Sequence, residues 1–343
     1  MKPLIYDLDL DALSRTLQQW GQPAYRARQI WRGLYVNLWH RADQFSVLPQ
    51  EVRQKLAQHF AFAHLTPEKS LESSDKKTTK VLFRLPNGEA IETVLMRYRQ
   101  RRTLCISTQA GCAMGCVFCA TGQMGFRANL SGGEIVEQVL YFARQLKPLG
   151  ERLTNVVVMG MGEPFHNYEA TLAAIDRLNH HEGFNMGARR FTISTVGLVP
   201  MIRRFAAERR QINLAISLHA ADDETRAAML PINKKYPLDV LLAACREYVE
   251  ATHRRITFEW ALIHEHNDTP EQAAKLAALL QGLNCHVNVI PLNPTQGYTG
   301  QPTTRRRALE FCRVLESHGI PCTIRARRGI DIQAGCGQLA VQA

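Results

Sequence analysis

The amino-acid sequence predicts an α/β protein: an open, partial β/α barrel preceded by a small helical domain and a connecting β-hairpin. Three observations carry this reading. From Thr103 onward, short runs rich in Val, Ile and Thr alternate with amphipathic stretches of helical length, and strands separated by single helices imply parallel β/α units. Before that point, residues 1–75 carry apolar side chains at three- and four-residue spacing, and residues 76–102 switch to two-residue alternation. Residues 103–343 then hold seven strand-like runs, too little chain for a closed eightfold barrel of ordinary size.

In the first segment Leu8 to Trp20, Tyr25 to Trp39 and Pro49 to Phe60 read as helices, separated by Gly21, Pro23 and Asp43. The second sets Arg26, Arg28 and Arg32 beside Tyr25, Trp31 and Tyr35. Such a mixture can grip an RNA backbone and stack on bases, and it equally builds the core of a helical domain. The hairpin is read from Thr78 to Tyr98, KVLFRL and EAIETVLMRY across a Pro86-Asn87-Gly88 turn. It ends in Arg97, Arg99, Arg101 and Arg102, a basic run that is either a solvated face or a set of phosphate contacts.

Strands are then predicted at Thr103–Thr108, Asn155–Met159, Arg190–Thr195, Ile212–Ser217, Ile256–Leu262, Cys285–Ile290 and Cys322–Ala326. Helices fall at Gly132–Gln145, Tyr168–Leu178, Leu198–Ala207, Leu238–Val249, Pro270–Leu280 and Thr303–Ser317. Ser131 followed by Glu134 is a capping box for the first of these helices. In such an architecture functional residues gather at the C-terminal ends of the strands, where MGMGEP, STVG, SLHA, PLNP and RRGIDIQAGC stand.

The chain carries 42 Lys and Arg against 31 Asp and Glu, a net charge of +11. That excess favours an anionic partner, nucleic acid first among them, through phosphate contacts and counterion release. No apolar run is long enough to span a membrane, and the N-terminus lacks the apolar centre of a signal peptide. Nine cysteines without a framework fit a reducing compartment, so the expectation is a cytoplasmic protein.

Cys112, Cys116 and Cys119 form C-x3-C-x2-C directly after the first barrel strand. Three thiolates on one short loop can each hold one iron of a four-iron cubane and leave the fourth iron open for chemistry. A zinc site would want a fourth Cys or His, and a disulfide framework an even cysteine count. Gly111, Ala113, Gly115, Ala120 and Gly122 make the loop small enough to fold closely around a cluster.

With Phe118 before the last cysteine, this loop resembles the signature of the radical S-adenosylmethionine (SAM) superfamily. The wider blocks MGMGEP, ISTVG, SLHA, PINKKY, PLNP and GCGQL resemble the RlmN/Cfr group of RNA adenine methyltransferases from about Lys80 to Leu339. The resemblance implies a partial barrel of the radical SAM type, with one [4Fe-4S] cluster held by Cys112, Cys116 and Cys119. It implies SAM binding by Gly162, Glu163, Ser194, Ser217, Leu218, His219 and Asn293. Read alone, Gly160-x-Gly162-Glu163 is a weak signal, lacking the third glycine of a dinucleotide fingerprint, and the polar strand-end residues are ordinary loop residues. Glycines there let the backbone approach a ligand, and Glu163 can take a ligand ammonium.

The implied reaction is methylation of C2 of an adenine in 23S rRNA, with tRNA as a second substrate. The carbon between N1 and N3 is electron-poor and cannot attack a methyl cation donor, so a radical route is needed. In the family one SAM methylates a C-terminal cysteine, matched by Cys336, and a second yields a 5′-deoxyadenosyl radical that takes a hydrogen from the S-methyl group. The methylene radical adds to adenine. Cys105 then matches the residue that attacks the Cys336 sulfur, leaving a disulfide, a step that needs a thiolate with a clear approach. Glu92 matches the proton acceptor. Gly335 and Gly337 put Cys336 on a flexible stretch able to swing to the mouth.

Two alternatives stay open here: the C8-methylating relative, which shares the whole cysteine set, and a glycyl-radical activase, which has no need of Cys105 or Cys336. Flavodoxin or ferredoxin as electron donor and a monomeric state complete the expectations. Cys245, Cys285, Cys312 and Cys322 read as small buried hydrophobes.

Overall fold

Asp9 starts the first helix, α1 (Leu10–Gln19), by accepting a hydrogen bond from the Ala12 N–H at 2.7 Å, which satisfies one of the four donors a helix start leaves over. The computed structural model describes residues 2–340. α2 (Tyr25–Arg32) passes into a π-helical turn, Gly33–Asn37, and stops at Leu38 in the left-handed region, so the single helix expected to Trp39 is broken. A side chain at Gly33 would collide with the Phe45 ring. Trp31 and Tyr35 are buried and packed together at 4.3 Å between ring centroids. These two aromatics are therefore core, while Tyr25 is exposed. α3 (Gln50–His59) completes the helical part.

β1 (Thr66–Glu72) is a strand inside the stretch read as helical. It pairs antiparallel with β2 (Thr78–Arg84), with an irregularity between Pro67 and Lys69. β2 pairs with β3 (Ala90–Arg97), and β3 with β4 (Arg102–Cys105), all antiparallel. The hairpin is thus a wing of the main sheet rather than a linker. Next, β5 (Gln109–Gly111) and β6 (Phe126–Asn129) form a small separate ribbon around the cysteine loop, with the short α4 (Ala120–Gln123) between them.

α5 (Gly132–Leu146) has the expected capping box: Ser131 Oγ accepts from Glu134 N at 3.1 Å and Glu134 Oε2 from Ser131 N at 2.9 Å. The β/α units follow as β7 (Asn155–Val158), α6 (Tyr168–Asn179), β8 (Phe191–Thr195), α7 (Val199–Ala207) and β9 (Asn213–Ser217). α8 (Asp223–Met229), which the sequence reading passed over, and α9 (Leu238–Thr252) lead to β10 (Ile256–Leu262). α10 (Pro270–Leu280), β11 (Cys285–Pro291), α11 (Arg305–Ser317) and β12 (Cys322–Ile324) end the series.

The ten-stranded sheet runs β1-β2-β3-β4-β7-β8-β9-β10-β11-β12. From β4 to β12 the strands are parallel, the expected seven. Among the described residues β12 pairs only with β11 and β1 only with β2, so the barrel stays open. One apolar core runs from Leu4 to Leu339 without a break at residues 75 or 102, although the sequence reading set domain boundaries there; residues 341–343 of its last domain lie outside the described residues. Cys245 and Cys285 are buried and free, but Cys312 and Cys322 are joined as a disulfide between α11 and β12, contrary to their reading as unpaired hydrophobes. No helix of the described residues is long and apolar enough to cross a membrane.

Glu137 of α5 ties the N-terminal part to the barrel, accepting from His64 N at 2.9 Å and Leu65 N at 3.2 Å. Burial pushes its carboxyl up from 4.5 to about 7 in spite of these donors. A group whose folded pKa is raised stabilises most below its unfolded value and loses that contribution as pH rises through the folded one. We expect stability to decline between about pH 4.5 and 7 on this account, and Glu137→Gln to flatten the decline. Urea midpoints across that range test this; an unchanged slope would assign the decline to other groups.

Candidate active site

The line of β4 continues past its last residue and locks onto the turn after β7. Ile106 N donates to Val157 O at 3.0 Å, Gly160 N to Ile106 O at 3.0 Å, and Thr108 N to Met161 O at 2.8 Å. Ser107 Oγ accepts from Met161 N at 2.9 Å and donates to Glu92 O at 2.7 Å. A Cβ at Gly160 would lie 2.6 Å from Ile106 O, and one at Gly162, with φ at +101°, 2.6 Å from Gln109 Cβ. Their first use is close approach of chain to chain, where the sequence suggested approach to a ligand.

Cys112, Cys116 and Cys119 line one cleft of about 170 Å3 together with Gly162, Glu163, Ser194, Ser217, His219, Asn293 and Cys336. Leu218 does not reach it. Its side chain is in the core, its N–H donates to Glu259 O at 3.1 Å, and its carbonyl accepts from Arg226 Nε at 3.1 Å.

Burial pushes the Cys112 thiol up to about 12 and raises Cys116 and Cys119 as well. Three such thiols stay protonated until a metal centre displaces their protons. Glu163 is buried, with Oε1 accepting from Phe165 N and Oε2 from Val196 N, both at 2.9 Å, and burial pushes it up to about 7. A cation in the cleft would restore its charge. His219 accepts from Ala261 N through Nδ1 at 2.9 Å, which leaves the proton on Nε2; burial lowers its pKa to about 3, so the ring is neutral. Its ring meets Phe118 edge-on at 5.0 Å. Ser194 and Ser217 bring their hydroxyls to 3.5 Å of each other across neighbouring strands.

A second cavity of about 100 Å3 adjoins the first and holds both Cys105 and Cys336 in its wall. Burial pushes the Cys105 thiol up to about 12, with Cys336 adding to the rise and Arg325 opposing it. The tail around Cys336 is anchored where the sequence suggested a free swing. Asn293 Nδ2 donates to Cys336 O at 3.0 Å, Ala120 N to Gly337 O at 2.7 Å, Thr121 Oγ1 to Leu339 O at 2.6 Å, and Gln338 Nε2 to Pro294 O at 2.9 Å.

Glu92 lies in neither cavity wall. It faces a separate pocket with Lys80 and Gln333, paired to Lys80 Nζ at 2.7 Å and accepting from Ala340 N at 3.0 Å, and burial raises its pKa. The basic run before β4 also divides: Arg102 is taken by Glu151, and Arg101 lies over Tyr98 at 4.9 Å.

A model of the radical SAM superfamily matches residues 106–277. The dual-specificity RNA methyltransferase RlmN 1 of Myxococcus xanthus is 52% identical over 335 residues, covering 98% of this chain and 93% of that protein. The chain belongs to the RlmN family of radical SAM RNA methyltransferases. The crystal structure of a radical SAM methyltransferase from Sphaerobacter thermophilus superposes with a TM-score of 0.96 at 49% identity, over 98% of this chain and 99% of that one. Family membership brings SAM and a [4Fe-4S] cluster as cofactors and RNA as substrate. The cleft fits them: three thiols face it from one tight loop, a buried carboxylate stands across from them, and small residues leave room. Among the described residues no trio of His, Cys, Asp or Glu gathers closely enough for a single ion; a cubane asks for something else, since each thiolate takes its own iron.

Sequence reasoning missed three charged residues here. Arg325 lines both cavities and pairs with Glu259 at 3.3 Å. The signal was available, an acid inside the apolar ITFEWAL and a base closing CTIR. The third is Arg226, fully buried, donating to Leu218 O at 3.1 Å, Val196 O at 2.8 Å and Asn233 Oδ1 at 2.8 Å. It joins the ends of β8 and β9 to the loop after α8, and burial lowers its pKa to about 10. Arg226→Leu would leave these acceptors buried and unpaired, at a cost of roughly 3 kcal/mol. Chemical unfolding of the apo protein measures it, and a loss under about 1 kcal/mol would mean that water replaces the guanidinium.

Proposed function

We propose that this protein methylates C2 of an adenine in 23S rRNA and in tRNA, carrying the methyl group on Cys336 and releasing product by attack of Cys105. The observation that supports it most is the shared cavity of Cys105 and Cys336, opening into the cleft of the three-cysteine loop. Cys112, Cys116 and Cys119 would each hold one iron of the cluster. Glu163 would take the SAM ammonium, while Ser194, Ser217, neutral His219 with its Nε2–H, and Asn293 would surround the rest; Leu218, with both backbone groups bonded within the protein, would only hold its neighbours Ser217 and His219 in place. When bound, the cluster and SAM supply methyl transfer and hydrogen-atom abstraction.

Cys336 takes up the methyl as a thioether and presents its carbon to the adenine ring. Glu92 accepts the proton from the modified carbon. It is buried beside Lys80 and capped by Ala340, four residues beyond Cys336, so this role requires the Ala340 contact to open. Cys105 then attacks the Cys336 sulfur: the S–S bond forms, the S–C bond breaks, and the product carbon keeps the electron pair and is protonated. Arg325 opposes the rise that burial imposes on the Cys105 thiol. The electron left in excess when the radical adduct loses its proton would return to the bound cluster, and a flavodoxin or ferredoxin would supply a monomer with the electron for radical formation and the two that reduce the Cys105–Cys336 disulfide. The C8-methylating relative uses the same cysteines, and mass analysis of digested RNA nucleosides separates the two.

Replacing any one of Cys112, Cys116 or Cys119 by Ala is expected to abolish SAM cleavage, because the cubane loses a ligand; full 5′-deoxyadenosine production would refute the ligand set. Cys336→Ala should give neither methylated protein nor altered RNA. Cys105→Ala should accumulate a protein–RNA crosslink that survives denaturing electrophoresis, and the double variant should not. Release of methylated RNA by Cys105→Ala would reduce Cys105 to a strand residue.

A further inference from the structure

Below the SAM cleft, at the N-terminal ends of the parallel strands, the barrel holds a wider chamber of about 1010 Å3. It joins the cysteine cavity through Tyr98, Val157, Met159, Arg325 and Ala326, which line both. Its wall is polar, with inward residues such as Asn155, Thr192, Asn213, Thr257 and Asn288. Arginines stand around its rim: Arg101, Arg189, Arg254 and Arg255.

Several arginines on the outer helices are paired with acids. There, Arg203 pairs with Glu247 at 2.7 Å, Arg204 with Glu169 at 2.5 Å and Arg210 with Asp176 at 2.5 Å. At the rim, Arg189 and Arg254 converge on the same neutral atom, Gln211 Oε1, at 3.1 and 2.9 Å, and Arg254 reaches Asn213 Oδ1 at 2.7 Å. Two like charges are held together by amides, with no acid between them. Glu259 is the single carboxylate of the chamber wall, and Arg325 and Asn288 already occupy it. Arg254 Nε and His286 Nδ1 are buried without a partner. Two cations held side by side on neutral amides at the rim of a polar cavity form an anion site.

We propose that this chamber receives the RNA: Arg189, Arg254 and Arg255 hold phosphates flanking the target nucleotide, whose base passes inward past Met159 and Arg325 to Cys105 and Cys336. The ligand class is single-stranded or locally unpaired RNA, since chemistry on a base ring needs the base out of its stack. The proposal rests on the RNA-methylating reading above. It assigns opposite ends of one barrel to SAM and to RNA, with the two cysteines between them.

The test is binding of a fluorescently labelled single-stranded RNA oligonucleotide by the cluster-loaded protein across a salt series. Arg189→Gln with Arg254→Gln is expected to weaken binding at least tenfold at low salt and to flatten the log–log salt slope by roughly 0.7 per lost phosphate contact. The Lys pair at the same positions should keep the slope, and Arg203→Gln, on an outer helix, should match the parent. Arg255→Gln, at an exposed side chain, serves if the double variant does not fold, with a slope change of about one contact. If the parent methylates RNA while both rim variants bind with its affinity and slope, the chamber is not the RNA site. If the parent neither binds nor methylates any RNA, the RNA reading itself falls.

Discussion

The site hangs on one close approach, that of Ile106–Gln109 to Gly160–Gly162. Here two backbones meet at a distance no side chain would allow, and four hydrogen bonds cross the gap. One partner leads directly into the cysteine loop and the other into Glu163, whose own N–H is held by Gln109 Oε1 at 2.8 Å. The thiols and the carboxylate across from them therefore have a fixed separation set by backbone, before any cofactor contributes. A displacement of either strand would move both halves of the cleft.

Much of this was legible in the sequence. Seven parallel strands, the capping box at Ser131 and the three-cysteine loop rest on local pattern, periodicity and spacing, and each is found. What could not be read was set by partners distant in the chain. β1 has the composition of a loop, TPEKSLE, and becomes a strand because β2 offers it an edge. Gly160 and Gly162 were recognisable as special, but what they approach was not. Glu92 stands out as an acid in an apolar strand, and the sequence cannot say that Lys80 and Ala340 hold it. The pairing of Cys312 with Cys322 depends on α11 returning against β12.

Charge is organised by location as much as by number. Outside, Arg203, Arg204 and Arg210 are answered by acids; inside the barrel, one carboxylate faces several guanidinium groups. The tail complements it: Cys336 is fixed by Asn293 from the end of β11, and the same few residues cover Glu92. The last described residues thus touch both the end of β11 and the Glu92 pocket.

The open barrel also has an outer margin. β1 is an edge strand of seven residues, nearly all of them exposed, and an unpaired edge can template pairing with a second chain. Here the edge carries Pro67, which offers no N–H, a register shift just after it, and Lys69 beside the Glu68–Arg84 pair at 2.7 Å. Proline, irregularity and charge all discourage sheet-to-sheet growth. The wing that widens the sheet thereby also seals it against aggregation, as an unclosed barrel requires if it is to remain dispersed at high concentration.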